Sequence, residues 1–208
     1  MPSVRSACTV LVLAATLAGC GLTRGSQTLA EQTARTAERL AAAPDTTRAV
    51  VAATLFGEVG LTPVAGTHFD AGALVAGFVP GRRAGLRDTL VVVAAALDGP
   101  HAATLVEAAR LVVDRADTHG DAPERSVLVV LWPAGLSPEG GLATVRAFPL
   151  WRRDAVRLTI ALAAGSPDSL ARPDAPVVVF QTAGLPASVN AADLSVSVLL
   201  AASATPTD

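Results

Sequence analysis

Two uninterrupted runs of apolar residues constrain the fold of this 208-residue chain more than any other feature. They are residues 89–96 and Ser126–Trp132, and each has the length expected of a strand buried on both faces of a sheet. Between them, residues 101–115 carry apolar side chains at helical spacing, which is typical of a helix packed on such a sheet. Strand, helix and strand in this order predict an α/β fold. We expect a three-layer sandwich in which a mixed, mostly parallel sheet has helices on both faces.

The pattern continues on both sides of this unit, and we interpret residues 28–208 as a single domain. Beyond residue 181 the prediction stays open. Leu194, Val196, Val198 and Leu200 alternate as in a strand, but the alanines around them suit a helix. Further helices are predicted at residues 28–43, 46–59 and 140–148, and further strands at 73–79, 155–162 and 176–180.

Two of the predicted helices carry local signals. Thr46 or Thr47 is predicted to cap the second helix, and Gly60 to end it. In the helix at residues 101–115, Glu107 and Arg110 stand three positions apart, and we place both on the solvated side, opposite the apolar stripe. This placement makes the pair a surface feature.

The N-terminus has the pattern of an export signal. Arg5 is followed by an apolar stretch at residues 7–18, too short to span a bilayer, and then by Gly19 and Cys20. This resembles the lipobox of bacterial lipoproteins, which implies a signal peptide at 1–19, a tether at 20–27 and acyl chains such as palmitate on Cys20. Gly21 follows in place of the Asp that retains many such proteins at the inner membrane, so an outer-membrane location in the cell envelope is favoured. The alternative is an ordinary secretory signal with a chance cysteine.

Composition excludes several functions. The formal net charge is −2 and no Lys occurs, so no basic face for nucleic acid and no phosphate-loop Lys exist. The two cysteines, Cys8 and Cys20, fall in the signal and at the lipidation position, which excludes disulfides and thiolate metal sites from the domain. Residues 135–139 are not a serine-hydrolase nucleophile elbow, because the fifth residue is Glu139 rather than Gly.

The order of several stretches resembles the co-catalytic di-zinc aminopeptidase family, which includes bacterial leucine aminopeptidases and relatives of glutamate carboxypeptidase and the transferrin receptor. The resemblance runs from about residue 29 to residue 165. It implies a zinc-peptidase α/β fold, shortened at the C-terminal end relative to active members. The stretches that carry it are Gly60-Leu61-Thr62-Pro63, residues 78–81, 86–98, 103–110, 125–148 and 159–165.

The resemblance also shows which catalytic positions have changed. The family holds two zinc ions with His and acidic ligands, and a Glu acts as general base on the bound water. The first ligand His falls at Ala96, the general base at Pro138 and an Asp at Leu162, while no His follows His119. Of the direct ligands only Glu139 is retained. The chain therefore resembles an inactive relative, with no cofactor.

Three residues remain as vestiges of that site: Asp98, His101 and Glu139. Each has a structural interpretation, as a turn carboxylate, a helix-start residue and an acidic residue in the first turn of a helix. The preferred function is a membrane-anchored lipoprotein that binds the bilayer through Cys20 and binds a protein or peptide partner, or has a structural role. One alternative is an active zinc hydrolase in which the three vestiges converge. Another is a subunit of an active homologue, which predicts a large exposed apolar patch.

Overall fold

The computed structural model describes residues 28–64, 66–86, 89–97, 100–148, 155–162, 177–180 and 185–203. Five α-helices and seven strands lie in these segments, with a short 3₁₀ turn at Ala84–Leu86. The helices are α1 Leu29–Ala42, α2 Asp45–Val59, α3 Pro100–His119, α4 Pro138–Ala147 and α5 Ala187–Ser203. The strands are β1 Thr62–Pro63, β2 Asp70–Ala71, β3 Leu74–Val79, β4 Leu90–Ala96, β5 Ser126–Trp132, β6 Val156–Leu162 and β7 Val177–Phe180.

The strands form one mixed sheet in the order β1-β3-β5-β4-β6-β7, with β2 paired to β3. The strands β4 to β7 run parallel, and β3 is antiparallel to β5. The strand β4 is central: it pairs with β5 along its whole length, from Leu90↔Ser126 to Ala96↔Trp132, and with β6 on its other side. Both predicted buried strands are thus confirmed, because a strand with neighbours on both edges and helices on both faces has no solvated side.

Alternate residues along the strands contribute their side chains to two separate cores, one on each face of the sheet. Val93 points into a core that also receives side chains from α1, α2, α3 and α5. Val92 points the other way, into a smaller core closed by Leu142 and Val145 of α4. The period of two along β4 therefore places helices on both faces, and the predicted three-layer α/β class is confirmed.

The structure corrects the prediction of which residue caps α2. Neither Thr46 nor Thr47 caps α2, which begins at Asp45 with Pro44 in the cap position and no side-chain cap. Proline presets the backbone angle that a helix start needs, so a hydroxyl cap is not required there. Gly60 ends α2 as predicted, with φ of 88° in the left-handed region.

The placement of Glu107 on the solvated side of its helix was wrong. The helix α3 is longer than predicted, and α1 packs across the side of it that carries Glu107, whose side chain is 0% exposed. The Thr36 hydroxyl donates to Oε1 of Glu107 at 2.6 Å, and Nε of Arg110 donates to Oε2 at 2.9 Å. The carboxylate is buried because it is fully partnered across the α1–α3 junction.

The segment left open after residue 181 forms the helix α5. Its buried positions include Asn190, Leu194 and Val198, which recur every four residues and face α3 and the sheet. In the segments the structure describes, no helix is long and apolar enough to cross a membrane.

Candidate functional site

The sheet topology puts a crevice at the carboxyl ends of the parallel strands. After β4 the chain passes through α3 to β5, which lies on one side of β4 in the sheet. After β6 the chain continues to β7, which lies farther out on the other side of β4. Adjacent strands whose connections diverge in this way leave a gap at their carboxyl ends, and open α/β sheets bind ligands there. We call this place the carboxyl edge.

His101 lies at the carboxyl edge, in the first turn of α3. Its side chain is half-buried, and burial lowers the pKa of the imidazole below its ordinary value. The neutral ring that this favours has one nitrogen donor and one acceptor. The structure thus gives His101 a chemical state suited to accepting a hydrogen bond or binding a metal ion.

Glu139 lies nearby in the chain fold, in the first turn of α4, and is exposed. The turn is capped by Ser137, whose Oγ accepts from the backbone nitrogen of Gly140 at 3.2 Å, and Pro138 opens the helix. A carboxylate at this point is favoured by the positive end of the helix dipole.

Asp98, the third vestige, falls outside the described residues, as do the signal peptide at 1–19, Cys20 and the tether at 20–27. Whether Asp98 approaches His101 and Glu139 therefore remains a prediction. Among the described residues, no group of three or more His, Cys, Asp or Glu side chains is placed to hold a metal ion.

The positions where the resemblance expects catalytic groups are nevertheless located. Ala96 ends β4, Pro138 opens α4 and Leu162 ends β6, so all three lie at or beside the carboxyl edge. None of these side chains has an atom that can bind zinc or take a proton from water.

Of the other two histidines, His119 lies at the far end of α3 and His68 lies in the segment before β2. His119 is the last residue of α3, eighteen positions beyond His101 on one helix. At 1.5 Å per residue the two lie about 27 Å apart, which rules out a shared metal ion. His68 is exposed, in the segment before β2.

Trp132 lies at the carboxyl edge, and the sequence alone did not predict a functional role for it. It ends β5, is 1% exposed, and its indole lies directly under α4, where a Cβ on Gly141 would overlap the ring. Within the described segments its Nε1 has no hydrogen-bond partner. A buried donor left without an acceptor costs about 1–3 kcal/mol, so this edge carries an unmet polar group.

Comparison with known proteins supports the fold. No protein family's sequence profile matches the chain, and no curated protein sequence matches it. Among solved structures, a candidate Zn-dependent exopeptidase from Bacteroides vulgatus aligns with a TM-score of 0.55 at 11% identity, over 89% of this chain and 100% of that one.

Two structures from Legionella pneumophila align more weakly. They are the LapA aminopeptidase, with a TM-score of 0.39 at 15% identity, and LapB, with 0.37 at 12%. This chain spans 58% and 57% of their lengths. The alignment with the exopeptidase from Bacteroides vulgatus shows that the domain has a zinc-exopeptidase-like α/β fold. Its activity is a separate question, because function depends on the site rather than the fold.

Proposed function

We propose that this chain is a membrane-anchored lipoprotein whose zinc-peptidase-like domain acts by binding or as a structural element, without hydrolysing peptides. The observation that carries the proposal is the carboxyl edge itself. Three positions that should supply metal or proton chemistry there are Ala96, Pro138 and Leu162.

Among the residues that the structure describes, the groups at the carboxyl edge are too few for the family's chemistry. A di-zinc centre needs several donors around each ion, and structural zinc alone takes four. Glu139 is exposed at a helix start and His101 is a single imidazole. Two such side chains give at most a weak, partly solvated site, which cannot activate water between two metal ions.

The anchor rests on the N-terminal pattern that ends at Cys20. Two or three acyl chains, at about 0.8 kcal/mol per buried CH₂, hold a domain stably on a bilayer, whereas one chain is marginal. Palmitate labelling in cells tests this directly: the native chain should take up label, and a Cys20→Ser chain should not. Equal labelling of both would remove the anchor from the proposal.

The inactive site is tested by zinc content and turnover together. The purified chain is incubated with excess Zn²⁺, desalted, assayed for metal, and offered aminoacyl-anilides. We expect less than about a tenth of an equivalent of zinc and no release of aniline above the rate without protein. One or two tightly held equivalents with turnover would overturn the proposal.

A second candidate function is a zinc hydrolase rebuilt on Asp98, His101 and Glu139. The lowered pKa of the His101 imidazole favours it, since a metal ligand must be neutral. In this case zinc binding and turnover should both fall in His101→Ala and Glu139→Gln chains and persist in a His119→Ala control. Zinc that binds equally well to all three variants would exclude these residues as its ligands.

A further inference from the structure

We draw no further inference here: the strongest candidate, the exposed apolar side of α5 at Val189, Val196 and Leu200, carries none because nothing in the structure shows what covers it.

Discussion

Two polar regions of this domain lie on opposite faces of the sheet and have opposite character. At the α1–α3 junction, the buried carboxylate of Glu107 receives hydrogen bonds from Thr36 and Arg110. At the carboxyl edge, the buried indole nitrogen of Trp132 has no partner among the described residues, and alanine, proline and leucine stand where catalytic groups would be expected. The polar groups at the α1–α3 junction are satisfied, whereas the indole nitrogen at the carboxyl edge finds no acceptor among the described residues.

The largest effect should come from breaking the junction. Glu107→Ala leaves the buried Thr36 hydroxyl without an acceptor and Arg110 without its carboxylate, so we expect a loss of about 3 kcal/mol in the free energy of unfolding. Urea unfolding measures it. Glu38→Ala, on the exposed side of α1, is the control and should leave the midpoint unchanged. If the Glu107→Ala chain is as stable as the control, the hydrogen bonds of Glu107 contribute nothing to the free energy of unfolding.

The contact between α4 and Trp132 should be next in size. A methyl group at Gly141 would overlap the indole, and we expect Gly141→Ala to cost about 1–3 kcal/mol. Gly140, one residue earlier, has only ordinary contacts at its added Cβ, the nearest being 3.5 Å away. Gly140→Ala should therefore keep the gain in helix propensity, up to about 1 kcal/mol. Thermal unfolding of the two variants shows whether each one is stabilised or destabilised. Stabilisation of both would contradict the close contact between Gly141 and Trp132.

Removing the indole N–H of Trp132 should have a smaller effect on stability. Trp132→Phe gives up part of a buried ring but also removes an Nε1 that finds no acceptor within the described segments. Because these two contributions oppose each other, we expect the stability to change by no more than about 1 kcal/mol. A loss of about 3 kcal/mol or more in urea unfolding would show that the indole nitrogen does have a partner.

The smallest effect concerns pH. Burial lowers the pKa of His101 in the folded chain, so the unfolded chain binds the proton more readily and stability should fall as the pH drops from about 7 to 5. His101→Gln removes this contribution, which is under about 1 kcal/mol for a half-buried ring, and should flatten the fall. Urea midpoints at both pH values measure it, with His119→Gln at the exposed end of α3 as the control. An unchanged slope in His101→Gln would exclude His101 as the source.

Most of the strands and helices could be predicted because their signals are local. The runs that became β4 and β5 are continuous and apolar, which only strands buried on both faces require. Gly60 marks the end of α2 because its backbone takes a left-handed conformation there. The start of α2 was misplaced because threonine is a common N-cap residue, whereas in the structure Pro44 takes the cap position.

The carboxyl edge could be predicted only in part. The resemblance predicted that catalytic positions of the family fall at Ala96, Pro138 and Leu162, and the strand order shows that Ala96 and Leu162 end neighbouring strands. The burial of the Trp132 indole nitrogen without a partner among the described residues could not be predicted, since it depends on α4 packing over the ring. Sequence order does not encode that contact.

By itself the sequence determined the class of the fold and the run of β4 and β5. These follow from local periodicity and composition, which a chain carries without folding. Only the tertiary structure decided that Glu107 is buried and that α5 is a helix. Burial is a property of two surfaces in contact, and the second surface lies far away in the sequence: α1 brings Thr36 to Glu107 across 71 positions.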